Sequence, residues 1–503
     1  MNLHRLKLAS CLWAATVLLG PVPHPARAEA SATAENPGRE AAGEWLGALK
    51  VGSVTLRLGL HVEKKEGGGL TAVLDSIDQG AKIPVGTVAS EGGKLRLEIP
   101  AIAGSYEGAL NAEGSAIVGV WSQGGQMFPL TFERQHQAFA LNRPQLPKAP
   151  FPYRSEEVAF ESEAGGVRLS GTLFLPEGKG PFPAVALVSG SGPQDRDETL
   201  LGHKPFLVIA DALARRGIAS LRWDDRGAGA SGGDHFGSTL NDFAADARAA
   251  VAFLHARPEV AGGAVGILGH SEGGLIGPMA AVTAVSAVTA SAGKSVDFLV
   301  LLAPPGETLR SLLVRQGRAL LRLQKIDEKL LDRVLAFQAE DLELIADSSI
   351  PTDKLQEKLR ALSEVRKYQL TDEERAKLGL DANAIERSIQ VSTTPWFRSL
   401  IGEDPAVHLR GVKVPVLALF GEKDLQVDPE ANSEAVRAAL AAGKNPDVEI
   451  RKLPGLNHLF QPARTGGVDE YGTIEETISP EALSAIGDWI AVRFARTAGA
   501  AAN

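Results

Sequence analysis

The chain reads as an α/β protein: a mostly parallel sheet flanked by helices, with a small all-β domain ahead of it and a helical insertion inside it. Three observations predict this. Apolar runs of buried-strand length recur at 184–188, 298–303 and 414–420, and a further strand-like segment lies at 448–453. Between 306 and 395, leucines instead follow helical spacing. Between 41 and 135, apolar and polar residues alternate with period two, and glycine clusters mark turns. At 503 residues and 44% hydrophobic content, the chain is long enough to bury two or three cores.

Residues 1–28 read as a secretory signal. Arg5 and Lys7 precede a short apolar run from Leu8 to Gly20, and Ala26-Arg27-Ala28 offers a small-residue cleavage site. The run is too short for a stable spanning helix. Cys11 is the single cysteine, and the apolar run follows it, which argues against lipid attachment there. Cleavage leaves a mature chain without cysteine, expected in a periplasm or the medium and with no membrane insertion.

A polar linker at 29–40 leads into the all-β domain at 41–135. There Leu56, Leu58, Leu60 and Val62 alternate with Arg57, Gly59 and His61, as do Leu95, Leu97 and Ile99 with Lys94, Arg96 and Glu98. A sandwich and an up-and-down barrel both fit. Trp45, Tyr106 and Trp121 are core residues on general grounds, with a cleft lining as the rival reading. A fixed appendage is favoured over a gating or carbohydrate-like binding module. Residues 136–154 form a proline-bearing linker.

The α/β part divides into a first segment at 155–305, a helical insertion at 306–395, a second segment at 396–495 and a tail at 496–503. Its strand at 184–188 runs into Ser189-Gly190-Ser191-Gly192-Pro193-Gln194-Asp195-Arg196-Asp197, a loop whose small residues permit close backbone approach. A second strand ends in Trp223 and a charged turn, Asp224-Asp225-Arg226-Gly227-Ala228-Gly229. That turn lacks the third glycine and the Lys-Ser/Thr of phosphate loops. Asp225 and Arg226 are expected to pin the loop beside the site.

The chemistry centres on Gly269-His270-Ser271-Glu272-Gly273, preceded by the apolar strand Val265-Gly266-Ile267-Leu268 and followed by a helix-compatible stretch. This is the G-x-S-x-G nucleophile elbow, in which residues two before and two after the serine must be small because strand and helix pass close together. An inert serine in a glycine-rich turn is the alternative, and the flanking elements argue against it.

A serine needs a base, an acid to orient the base, and donors for the oxyanion. Asp424 follows the strand at 414–420 through Gly421-Glu422-Lys423, at a strand's C-terminal end, where sites in open α/β sheets lie. Glu422 and Asp428 are nearby rivals, although Asp428 before Pro429 suits a helix cap. His458 is the one histidine of ten that lies after Asp424. The nucleophile–acid–base order Ser271, Asp424, His458 then matches the order used with this elbow. One oxyanion donor is the backbone N–H of Glu272. The other is the Ser191 N–H, with Gly190 and Gly192 as alternatives.

Gly190 to Glu198 (GSGPQDRDE), Asp224 to Ser231 (DDRGAGAS), Gly269 to Gly274 (GHSEGG) and Asn457 to Gln461 (NHLFQ) together carry a resemblance over residues 155–495. The chain resembles bacterial serine carboxylesterases of the α/β-hydrolase superfamily. The resemblance implies an α/β-hydrolase fold, a Ser271–Asp424–His458 triad, no metal and no cofactor, and cleavage of a small-molecule ester through an acyl-enzyme. It also implies that the helical insertion caps the serine, excluding water and shaping the acyl or alcohol pocket. Thr394-Pro395-Trp396-Phe397 is read as its end, with Trp396 and Phe397 as pocket wall or as plain core. Two other functions stay open: a serine aminopeptidase or amidase with the same triad, and a non-catalytic scaffold on the same fold. The net charge of −9, with no basic stripe, argues against a nucleic-acid partner.

Overall fold

The computed structural model describes residues 41–51, 54–77, 81–123, 126–135, 142–286 and 295–494. The signal and linker expected at 1–40, and the tail at 496–503, lie outside them. The described chain forms two compact units, one of the residues up to Arg143 together with Leu200–Gly202, and one of Pro144–Thr199 and the residues from His203 onward.

The first unit is a single antiparallel sheet of nine strands. These are β1 (Gly43–Val51), β2 (Val54–Lys64), β3 (Leu70–Ser76), β4 (Ala81–Pro84), β5 (Thr87–Glu91), β6 (Lys94–Ile99), β7 (Gly104–Leu110), β8 (Ala116–Gln123) and β9 (Gln126–Gln135). Their order is β4-β3-β2-β1-β9-β8-β7-β6-β5. The two end strands are consecutive in the chain. Between them, the Val85 N–H donates to Ala72 O of β3 and the Gly86 N–H to Glu98 O of β6. One bent stretch thus ties the two ends of the sheet together, giving it the course of an up-and-down barrel without a β4–β5 ladder among the described residues.

The alternation read in the sequence is the inside–outside alternation of this barrel. Leu58, Leu60, Leu95, Leu97 and Ile99 are all buried. Trp45, Tyr106 and Trp121 fill the interior at 1%, 0% and 2% exposure, so these three line no cleft. The Tyr106 ring meets Phe132 edge-on at 5.1 Å, and its hydroxyl donates to the carbonyls of Ile117 (3.0 Å) and Leu130 (3.1 Å).

The second unit holds an eight-stranded sheet of β10 (Tyr153–Glu161), β11 (Arg168–Pro176), β12 (Phe182–Val188), β13 (Ala219–Trp223), β14 (Val260–His270), β15 (Phe298–Leu302), β16 (Val416–Gly421) and β17 (Val448–Leu453). Its order is β10-β11-β13-β12-β14-β15-β16-β17. β11 pairs antiparallel with β10 and with β13, and all other pairs are parallel. β12 to β16 are buried nearly end to end, as a sheet covered on both faces requires. The order reverses around β12, whose neighbours are β13 and β14, so the loops leaving β12 and β14 emerge side by side.

The helices are α1 (Pro205–Ala214), α2 (Leu240–His255), α3 (Gly273–Ser286), α4 (Leu309–Leu323), α5 (Glu328–Ala346), α6 (Thr352–Lys367), α7 (Asp372–Leu378), α8 (Ala382–Ser392), α9 (Pro395–Gly402), α10 (Pro405–Gly411), α11 (Pro429–Ala442) and α12 (Pro480–Phe494). The leucines of helical spacing bury one face of α4 and α5. Leu309, Leu312, Leu313 and Leu342 join the core around the sheet, whereas Leu321, Leu330, Leu331 and Leu335 form a separate small core with Leu370 and Leu378. One expectation is corrected. Thr394-Pro395 does not end the helical stretch; it starts α9, with Thr394 Oγ1 accepting the Phe397 N–H and Pro395 at the first position, where a missing N–H costs nothing.

Replacing Tyr106 by Phe removes the donor shared by two buried carbonyls. Urea denaturation should show the barrel destabilised by about 1–3 kcal/mol.

Candidate active site

Ser271 sits between β14 and α3 with φ of +54°, a left-handed conformation that a residue with a side chain adopts at a cost. Its N–H donates to Leu302 O of the neighbouring β15. The small residues on either side have a measurable reason. A Cβ on Gly269 would lie 2.0 Å from the Gly273 carbonyl oxygen, and one on Gly273 would lie 2.2 Å from Val188 O at the end of β12. Only glycine lets strand, turn and helix pass this closely. The serine is partly exposed.

The loop after β12 lies against this turn. A Cβ on Gly190 would come within 3.4 Å of Ser271 Cβ. Among the described residues, no internal hydrogen bond occupies the N–H of Ser191 or of Glu272. The Gly190 N–H, by contrast, donates to Glu198 Oε1 at 2.7 Å and so is already used. Of the three candidates for the loop donor, Gly190 is thereby set apart.

Asp424 and His458 come from loops after adjacent strands, β16 and β17, and meet at 2.7 Å between Oδ2 and Nδ1. Both are about 3% exposed. Asp424 Oδ1 accepts the amides of Gln426 (2.7 Å) and Val427 (2.9 Å), which fixes the carboxylate plane. The two rivals are placed elsewhere. Asp428 caps α11 by accepting the Ala431 N–H, and Glu422 accepts the Gly455 N–H. The His458 turn is held by Asn457, whose Oδ1 accepts the amides of Leu459 and Gln461, both at 3.0 Å. That gives the Asn457-His458-Leu459-Phe460-Gln461 motif a local reason.

The two charged motifs interlock. Arg196 forks onto Asp224 through Nε (3.1 Å) and Nη2 (2.9 Å). Asp225 accepts the Ser189 hydroxyl (2.9 Å) and the Gln194 N–H (3.0 Å). Burial pushes the Asp225 carboxyl well above its ordinary value. Arg226 pairs with Asp246 at 2.7 Å, 4% exposed. Asp225 thus holds the loop that carries Ser191, while Arg226 ties the turn to α2.

Two contacts escaped the sequence reading. Trp396, on α9, donates from Nε1 to both carboxylate oxygens of Glu272 at 3.1 and 3.2 Å. The Ser191 side chain also acts on this carboxylate, pulling its pKa down. Glu272 therefore joins the elbow, the loop after β12 and a helix more than 120 positions away. Trp396 is 1% exposed and so is core with a polar tip rather than pocket wall, and Phe397 at 2% is core as well. The second contact links His270, the residue before Ser271, to Glu198 (2.9 Å) and to the His458 carbonyl (3.1 Å). No periodicity signals either pair, because both are set by long-range packing. Among the described residues, no cluster of His, Cys, Asp and Glu has the arrangement of a metal site.

Burial raises the Glu272 carboxyl to about 7, with the Trp396 and Ser191 donors pulling the other way. The folded state thus keeps a proton that the unfolded chain has released. The resulting stability is full below the ordinary carboxylate range and is lost as pH rises through 7. Glu272→Gln keeps an acceptor for Trp396 without this titration. Relative to that variant, wild type should lose about 3 kcal/mol of unfolding free energy between about pH 5 and pH 8, measured by urea denaturation across that range.

The sequence profile of the family described as "Serine aminopeptidase, S33" matches residues 205–461, a span that holds Ser271, Asp424 and His458 and begins after Ser191. Among characterised relatives, "Esterase EstD" of Thermotoga maritima is 28% identical over 334 residues, covering 66% of this chain and 68% of that protein. "Acyl-coenzyme A thioesterase 2, mitochondrial" of Mus musculus is 26% identical over 154 residues, and the match spans only 30% of that protein. Among solved structures, a Pyrococcus furiosus esterase aligns with a TM-score of 0.39 at 17% identity, covering 70% of this chain and 97% of that one. With more than half of its length matched by the profile, the chain belongs to the serine aminopeptidase S33 family and is an α/β-hydrolase of esterase-like type.

Proposed function

We propose that this protein is an exported serine carboxylesterase working through Ser271, His458 and Asp424. What supports the reading is a strained, partly exposed serine and a buried His458–Asp424 pair at 2.7 Å, both after parallel strands of one sheet, with His270, the residue before the serine, 3.1 Å from the His458 carbonyl. In this reading His458 Nε2 takes the proton from Ser271 as the serine attacks the ester carbonyl. Asp424, already bonded to Nδ1, holds the tautomer that leaves Nε2 free to accept, and it stabilises the imidazolium. The free N–H groups of Ser191 and Glu272 receive the oxyanion. His458 then protonates the leaving alcohol, and water repeats the sequence on the acyl-enzyme. Helices α4 to α9 serve as the cap that excludes water, tied to the elbow through Trp396 and Glu272.

The family description favours a second reading, an aminopeptidase on the same machinery. Such an enzyme needs a carboxylate to grip the substrate's free amine. The acids around Ser271 are already engaged: Glu198 by His270 and Gly190, Glu272 by Trp396, Asp225 by Ser189 and Gln194, and Asp424 by His458. That supports the ester reading. The thioesterase relatives share acyl transfer at a carbonyl carbon, which is compatible with it.

The test is a set of p-nitrophenyl esters from acetate to palmitate beside aminoacyl p-nitroanilides, on residues 29–503. Ester turnover should dominate, and preferential anilide turnover would sink the esterase reading. Ser271→Ala should cost roughly 10⁴-fold or more in kcat. Asp424→Asn, which keeps the Gln426 and Val427 contacts but inverts the tautomer of His458, should cost about 10⁴-fold with the fold intact by circular dichroism.

A further inference from the structure

We propose that Glu198 and His270 form a second buried carboxylate–imidazole pair, in which a permanently charged His270 positions both the oxyanion loop and His458. This rests on the serine-hydrolase reading of the site.

The charge state follows from the partners. His270 Nδ1 faces Glu198 Oε1 at 2.9 Å, and its Nε2 faces the main-chain carbonyl of His458 at 3.1 Å. A carbonyl oxygen can only accept. Glu198 Oε1 also accepts the Gly190 N–H at 2.7 Å, as a carboxylate does. Opposite an ionised Glu198, a neutral imidazole, with one N–H and one bare lone pair, would leave a lone pair against an oxygen. Both residues are 6% exposed, and in such a site that mismatch is not relieved by water. Protonation at both nitrogens satisfies every contact.

Glu198 itself has φ of +53°, a backbone conformation that its surroundings must enforce. Burial alone lowers the His270 value, but Glu198, the His458 carbonyl and Asp424 more than offset it, and the net direction is upward.

The position gives this charge two tasks. Through the single oxygen Oε1, Glu198 ties the backbone at Gly190, next to Ser191, to the ring next to Ser271. Through Nε2, the same ring holds the His458 loop. The His270 and His458 rings also lie 4.9 Å apart between centroids, so a displaced His270 ring displaces its neighbour. The titratable groups around the pair are Glu198 on the loop after β12, Asp424 after β16, His458 after β17, and Glu272 two residues along the chain. Losing the His270 ring therefore releases the Glu198 tie to the loop and the hold on the His458 carbonyl together. His270 is a positioning residue, since it touches His458 and the loops rather than the scissile group.

Two measurements test this. In the full mature chain carrying Ser271→Ala and ¹⁵N-labelled histidine, both ring nitrogens of His270 should be protonated at pH 7, and Glu198→Gln should lower the pH at which His270 loses that proton. This readout needs no substrate, so it is independent of which bond the enzyme cleaves. In the active enzyme, His270→Asn should lower kcat by between about 10- and 100-fold with KM little changed. A His270 that is neutral at pH 7 overturns the proposal. So does a His270→Asn enzyme whose kcat stays within about twofold of wild type, or whose loss falls on KM with kcat unchanged. If His270→Asn does not fold, the spectrum of the Glu198→Gln chain decides.

Discussion

The second unit is organised around one near-collision of backbones. At Gly269 and Gly273, β14, the turn and α3 pass so closely that an added Cβ would meet a carbonyl oxygen at 2.0 or 2.2 Å. The second of those oxygens belongs to Val188, the last residue of β12. The crossing therefore does more than aim Ser271. It sets the elbow against the C-terminal end of β12 and fixes where the next loop, with Ser191, leaves the sheet. The strain at Ser271 is held by its N–H bond to β15 and by the parallel ladder that places Gly269 beside Val188 and Leu301.

Around that crossing the loops are shaped by buried charge more than by apolar packing. Arg196–Asp224 and Glu198–His270 join two motif stretches each, while Asp225 with Ser189, Arg226–Asp246 and Asp424–His458 join a motif residue to one outside. Buried ion pairs contribute little net stability, because desolvation cancels much of the attraction. Their directionality is what the loops use. A forked Arg196 on Asp224 accepts one geometry, where an apolar contact would accept many. Motifs far apart in the chain are thus two halves of the same contacts, which explains why they occur together without a shared element.

Helix α9 couples to the elbow through a polar contact as well. Trp396 brings most of its surface into the core and spends its one donor on Glu272, whose carboxyl is buried enough to hold a proton near neutrality. The residue supplying an oxyanion N–H in the proposed mechanism is therefore anchored by a helix from the insertion, and movement of α9 would be felt at the elbow.

Local pattern was enough to read the strands, the elbow, and the order serine, acid, histidine. Period-two alternation, small residues at Gly269 and Gly273, and strand-end positions of Asp424 and His458 are short-range properties. So is the Asp428 cap, which needs only its own helix. Barrel closure is different, because it depends on Val85 and Gly86 bonding to strands on opposite ends of the sheet. Thr394-Pro395 carries the same punctuation whether it stops one helix or starts the next, and only the chain's continued path settles which. The choice of Gly190 as the occupied amide, and the pairs Glu198–His270 and Glu272–Trp396, join residues 8, 72 and 124 positions apart. Each is decided by burial: once water is excluded, every donor and acceptor must find a partner inside the protein, and which partner is within reach is a property of the folded packing alone.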